Sequence, residues 1–291
     1  MKNARNLIHG SLLLLPAAVL LWVFTYQPIL ATVFNSLFST PKGRRPSVFV
    51  GADNYTRMIA DPVFWQALVN NLVYALVTIP VSMGLALAMA LFVNSRIRGQ
   101  GLTRMAYFTP TVLPMVAVAN IWLFFYAPGY GPVDQLLGLF GLGDNNLLGS
   151  PGTALWALIV ITVWKEAGFF MIFYLAALQQ ISPTLLEAAR LEGATPWQTF
   201  RRVTVPLIMP TTLFVMVNAL IGAFRLVDHV IALTKGGPNN ATTLLLFYIY
   251  QVGFQFWDTA YAAALTAFLL AVLALIALVQ FGYLDKKVHY R

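Results

Sequence analysis

The sequence predicts an all-α membrane protein with six transmembrane helices. Three observations carry this. Of 291 residues, 59% are apolar and only 10% charged. The mean hydropathy is +0.74. Six apolar stretches each approach the ~20 residues that a helix needs to cross a bilayer. An ordinary soluble domain has roughly 25% charged residues, and this chain has too few to give a core of its size a charged skin.

The stretches cover residues 11–37, 65–93, 105–126, 153–179, 207–233 and 259–283. The first follows Lys2 and Arg5, as a signal peptide would, but it continues through Phe34 and Leu37. That exceeds the ~7–15 residues of a signal h-region, so it reads as a retained first helix. Pro16 and Pro28 lie in span one, Pro80 in span two, Pro114 in span three, Gly168 in span four and Gly222 in span five. Neighbouring helices in a membrane bundle tolerate such breakers. Trp65, Tyr126, Trp257 and Tyr283 stand near span ends, where an interfacial aromatic belt is expected, with ordinary packing an equal alternative.

The net charge of +8 reflects topology rather than nucleic acid. With the N-terminus inside, the cytoplasmic segments hold Lys2, Arg5, Arg96, Arg98, Arg104, Arg190, Arg201, Arg202, Lys286, Lys287 and Arg291. The opposite side holds Lys42, Arg44, Arg45, Arg57 and Lys235, while Lys165 and Arg225 lie inside spans. The outer loop 127–152 has no Lys or Arg. This bias places both termini in the cytoplasm. The absence of Cys excludes a thiol nucleophile, a disulfide framework and Cys-ligated metal.

Between spans four and five, residues 182–206 form a segment longer than a simple connection requires. Ser182 is a candidate N-cap, with Pro183 at the first helical position. Gly193 is suited to end that helix with a positive φ. Thr195 and Pro196 then repeat the start signal, and Trp197, Phe200 and Val203 give the second helix an apolar face. A cytoplasmic helical hairpin follows, for which docking on a partner and resting on lipid are both open.

The residues of this segment narrow the choice. Glu187-Ala188-Ala189, three residues, Gly193, nine residues and Val203-Thr204-Val205-Pro206 resemble the EAA loop of ABC importer permeases, with Val at the two aliphatic positions. Gly51-Ala52-Asp53-Asn54-Tyr55, Asp61-Pro62-Val63-Phe64-Trp65 and Asn70-Asn71 resemble the outer segment before span two in sugar-type permeases. Thr234-Lys235-Gly236-Gly237-Pro238 with Ala241-Thr242-Thr243 resembles their loop after span five. Val279-Gln280-Phe281 and Lys287-Val288-His289-Tyr290 are similar to the first permease of glycerol-3-phosphate importers. The resemblance, to the carbohydrate-uptake branch that includes the maltose permeases, covers nearly the whole chain.

It implies a type I ABC importer permease fold in a bacterial cytoplasmic (inner) membrane. It implies a second homologous permease, two cytoplasmic ATPase subunits and a periplasmic or lipid-tethered solute-binding protein as partners. Glu187, Ala188, Ala189, Gly193, Val203 and Pro206 would then form the ATPase-coupling element. The solute would be a sugar, a polyol or a glycerol-phosphate-like molecule. No cofactor or metal is expected on this chain, since it has no G-x-x-x-x-G-K-[ST] phosphate loop and no His/Asp/Glu cluster with metal spacing, its three His standing far apart; ATP and Mg would belong to the partner ATPases.

Polar groups inside spans are expensive and mark candidate function. Lys165 and Glu166 lie in span four; Asn218, Arg225, Asp228 and His229 lie in span five. At i, i+3 and i+4, Arg225 is expected to share a helix face with Asp228 or His229. These six are candidates for the solute pathway, with interhelical pairing or contact with the second permease an equal alternative. A secondary transporter or channel predicts inverted repeats and midplane acids, and no clear repeat is present. A membrane enzyme needs a clustered acid/base or metal set, and the sequence shows none.

Overall fold

The computed structural model describes residues 13–280 and 282, apart from 42, 44, 96–98 and 142–145. The first residues of span one, the charges of Lys2, Arg5, Lys42, Arg44, Arg96 and Arg98, Phe281, and the tail from Tyr283 through Arg291 lie outside the described residues.

Among the described residues, five helices are long and apolar enough to cross a membrane: Leu13–Asn35, Pro62–Asn94, Ala154–Gln179, Met209–Leu233 and Thr259–Val279. They are the expected spans one, two, four, five and six. Span three departs from expectation. It consists of two helices, Gln100–Val112 and Met115–Phe125, bent by 102°. The cause is local. Pro114 biases Leu113 out of the helical region, to φ −74°, ψ 134°, and has no N–H for a helical bond. Span five is also interrupted, because Leu226 adopts φ −76°, ψ 113° after Arg225, and the helix restarts at Asp228.

The chain divides into two compact units, Met1–Asp61 with Ile249–Val272, and Pro62–Tyr248 with Leu273–Arg291. In the first, no part of span one's most apolar stretch is buried, which suits a helix facing lipid or another chain. Asn54 donates to the Ser36 and Phe38 carbonyls, both at 2.8 Å. Arg57 pairs with Asp258 at 2.6 Å and lies 4.1 Å from the centre of the Tyr261 ring. Tyr261 donates to Asp61 at 2.6 Å, and Thr40 donates to Asp258. This clasp ties three chain segments by charge and hydrogen bonding. Trp257 is exposed, as an interfacial aromatic would be.

The second unit is centred on span four, of whose most apolar stretch 61% is buried. Small residues let spans two and four approach closely: Ala86 and Ala90 of span two share a core with Phe170, Met171 and Tyr174 of span four and Val215 of span five. Gly168 faces the Tyr107 carbonyl oxygen so closely that a Cβ would collide with it. Trp65 is exposed, but Tyr126 is not part of an aromatic belt. It is buried, and its hydroxyl donates to the Ala157 carbonyl at 3.0 Å, because a phenol inside an apolar bundle needs an acceptor.

Candidate functional site

The segment between spans four and five folds as a hairpin whose turn is specified residue by residue. Its first helix is Pro183–Leu191. Ser182 precedes it, but its hydroxyl meets Thr184 Oγ1 at 2.7 Å instead of capping a backbone N–H. The Leu185 N–H donates to the Ser182 carbonyl instead. At the other end Gly193 adopts φ +81°. Its N–H donates to the Arg190 carbonyl, and the Ala194 N–H to that of Ala189, each at 3.0 Å. This double closure is the Schellman motif, which needs a left-handed residue at Gly193. Thr195 follows at once with a capping box: Gln198 N–H donates to Thr195 Oγ1 at 3.3 Å, and Thr195 N–H to Gln198 Oε1 at 2.8 Å.

The second helix, Pro196–Thr199, passes through a π-helical turn at Phe200–Thr204 and on through Val205–Leu207 to Ile208, ahead of span five. Ala189 is buried and Val203 half-buried; Glu187, Ala188, Arg190, Arg201, Arg202 and Pro206 are exposed. Leu191 and Trp197 are 89% and 66% exposed. The hairpin therefore presents apolar and charged side chains together.

A second polar feature lies within the helices. Asn71, Tyr74, Thr78 and Ser82 of span two are all buried. Tyr74 Oη lies 2.6 Å from Thr162 Oγ1 and 3.2 Å from His229 Nε2, with the Tyr74 and His229 rings stacked. Asn71 donates to the Ala223 carbonyl at 3.3 Å and accepts from the Leu245 N–H at 3.2 Å. A cavity of about 20 Å³ between spans two, four and five is lined by Thr78, Ser82, Thr162 and Glu166, with Gly222 and Leu226 opposite. That is room for about one water molecule.

The predicted pathway residues separate into distinct environments. Glu166 faces the cavity, and His229 joins Tyr74 beside it. Lys165 turns away from it: its ammonium donates to the carbonyls of Pro110, Thr111 and Leu113 at 3.0, 3.2 and 2.6 Å. Asn218 donates to the Phe214 carbonyl one turn back at 2.8 Å. Arg225 and Asp228 are exposed and stand on separate helices. The expected shared helix face of Arg225, Asp228 and His229 is corrected accordingly, since the extended Leu226 resets the helical phase. Tyr74, Thr78, Ser82 and Thr162 were not anticipated. Their signal was the four-residue spacing of Tyr74, Thr78 and Ser82, which makes one polar stripe on an otherwise apolar helix.

Two of the outer motifs meet. Asn70 donates to the carbonyls of Asn240 and Thr243 at 2.8 and 3.0 Å, and Gln66 donates to that of Asn239. Span two thereby anchors the loop after span five, whose Thr242 and Thr243 are buried.

Membrane-length helices carrying buried polar groups, joined by a capped, exposed hairpin, define a multi-pass membrane protein. Residues 80–290 match the family described as "Binding-protein-dependent transport system inner membrane component", and the chain belongs to that family. It is 34% identical to the lactose transport system permease protein LacF of Rhizobium radiobacter, over 94% of this chain and 93% of the relative. It is 30% identical to the sn-glycerol-3-phosphate transport system permease protein UgpA of Yersinia pestis bv. Antiqua, over 96% and 95%. The fold matches a chain of a bacterial ABC transporter involved in the import of the acidic polysaccharide alginate, with a TM-score of 0.85 and 26% identity over 99% of both chains. The chain has the ABC importer permease fold and is a permease subunit of an ABC importer.

Proposed function

We propose that this permease forms, with a second homologous permease, an alternating-access pathway for a hydroxyl-rich solute: a sugar, a polyol or a glycerol phosphate. The observation that carries its mode of driving is the hairpin 182–206. Leu191 and Trp197 are exposed beside Glu187 and Arg190, as a surface that docks on another protein requires. The first helix, with Glu187, would seat in a cytoplasmic ATPase subunit. The continuous run from Pro196 through Leu207 would pass its displacement to span five. ATP-driven closure of two ATPases would thereby make the pathway alternate between outward and inward access by rigid-body motion.

ATP and Mg belong to those partners in this reading, and the chain itself is non-catalytic. A periplasmic or lipid-tethered binding protein delivers the solute. Both termini lie on the cytoplasmic side of the inner membrane, as the excess of Lys and Arg there supports. The solute class draws on the lactose, glycerol-phosphate and alginate named for the similar proteins. It draws also on the hydroxyls of Thr78, Ser82 and Thr162 beside Glu166 at the cavity, groups suited to exchanging hydrogen bonds with hydroxyls.

The test is reconstitution of the permease pair with its ATPases and binding protein in vesicles. The binding protein is first screened by thermal shift against sugars, polyols, glycerol phosphates, glycerophosphodiesters and sulfonated sugars. ATP-dependent uptake of the stabilising solute, reduced by Glu187→Lys, is the expected result. Uptake indifferent to ATP, or a binding protein that responds only to a solute lacking hydroxyls, would refute the proposal.

A further inference from the structure

The break in span three leaves backbone groups that the membrane interior punishes. Helix Gln100–Val112 ends without helical donors for its last carbonyls. The residue whose N–H would have served Pro110 is Pro114, which has none. Leu113 precedes Pro114, the N-cap of the next helix, so its carbonyl is also outside the helical ladder. Irregular backbone at membrane depth persists only where protein or water satisfies it.

Lys165 supplies that satisfaction from the neighbouring span. An ammonium has three N–H donors, and they meet three of these carbonyls, Pro110, Thr111 and Leu113, at 3.0, 3.2 and 2.6 Å. A cation at a helix C-terminus also complements the helix dipole. Three residues further along span four, Gly168 admits the Tyr107 carbonyl into contact. Span four also holds the second half-helix, through the Tyr126 hydroxyl on the Ala157 carbonyl. That half-helix, Met115–Phe125, packs in turn against Asp228–Leu233, the outer piece of the interrupted span five.

We propose that Lys165 is the positioning residue of the span-three break: its ammonium fixes the angle between the two half-helices, and with it the placement of Asp228–Leu233. Its head group serves the backbone of the permease, not the solute.

The chain has no Cys, so a spin-label pair can be placed directly. Cysteines replace Leu102 and Phe124, which are exposed on the two half-helices, in the full transporter with cysteine-free partner subunits in nanodiscs. The unsubstituted background is expected to give one narrow distance distribution. Lys165→Met, which keeps length and removes the donors, is expected to shift or broaden it by several ångströms. Lys165→Arg, which retains more than three N–H groups, is expected to restore the original width. Pro114→Ala, which leaves the ammonium in place, is expected to keep the bend. An unchanged distribution in Lys165→Met would overturn the proposal and return Lys165 to the solute pathway. Straightening in Pro114→Ala would overturn it too, assigning the bend to proline alone. If the Met variant does not assemble, the Arg and Pro114→Ala arms decide, and a shifted distance in either sinks it.

Discussion

Replacing Gly193 by Ala isolates the energetic role of the hairpin turn. Gly193 sits at φ +81°, and no atom lies within 4 Å of the Cβ that Ala would add. Steric conflict with the surroundings is therefore absent, and the whole effect is backbone. Holding an L-residue in the left-handed region costs roughly 1–2 kcal/mol. Ala also restricts the unfolded chain, which returns ~0.4–1 kcal/mol. The net is about 1 kcal/mol against the formed turn, roughly fivefold in the ratio of formed to open turn. If the ATPase recognises the formed hairpin, its apparent affinity for the permease pair falls by up to the same factor, most when the turn is open part of the time. Titration of purified ATPase subunits onto permease pairs in nanodiscs measures this. Gly193→Asn is the internal control, because Asn tolerates the left-handed region, and it is expected to lie near the unsubstituted protein. Equal losses in Ala and Asn would refute the backbone argument, since they point to an effect of side-chain volume at an open site. No loss in either would show that the left-handed conformation of Gly193 does not limit docking.

Three further outcomes follow from the packing. Tyr74→Phe leaves His229 Nε2 without its partner, because Tyr74 Oη supplies that contact; a loss of about 1–3 kcal/mol is expected. Thermal unfolding in detergent reads it, and adding His229→Phe is expected to recover part of it, since an apolar pair leaves no orphan. Gly168→Ala forces a methyl against the Tyr107 carbonyl and is expected to cost about 1–3 kcal/mol. Gly222→Ala, inside a helix and with nothing within 4 Å, is the matched substitution expected to leave the unfolding midpoint unchanged or slightly raised. Burial alone would raise the Asp258 carboxyl, yet hydrogen bonds from Thr40 and Arg57 and the guanidinium charge hold it below its ordinary value. A depressed carboxyl contributes stability that is complete above its unfolded value and is lost as pH falls through the lower folded value. Acidification from neutrality through that range is thus expected to loosen the clasp by at most about 1 kcal/mol, because Arg57 is exposed. Asp258→Asn is expected to flatten that part of the pH profile of the unfolding midpoint.

Much of the candidate site was legible because it is local. The Schellman closure and the capping box at 189–198 depend on residues at most five apart, so Gly193, Thr195 and Gln198 carry their geometry in one dimension. Ser182 does stand at the N-cap position, but its hydroxyl meets Thr184 rather than a backbone N–H. The intramembrane cluster was not local. Tyr74, Thr162 and His229 are separated by 88 and 155 residues in the chain, and nothing in their neighbourhoods states that they meet.

What the sequence determined by itself was the membrane class, the number and limits of the apolar stretches, the hairpin and the family. Each rests on composition, on runs of ~20 apolar residues, or on short-range spacing. Tertiary structure alone decided that span three is bent by 102°, that Lys165 caps the bend, and that Glu166 lines a small cavity and His229 is buried against Tyr74 while Arg225 is exposed. The physical reason is that an apolar bilayer segment tolerates a broken helix only when another element satisfies its free carbonyls. Lys165 does so from 52 to 55 residues away in the chain, a pairing that exists only once spans three and four are packed together.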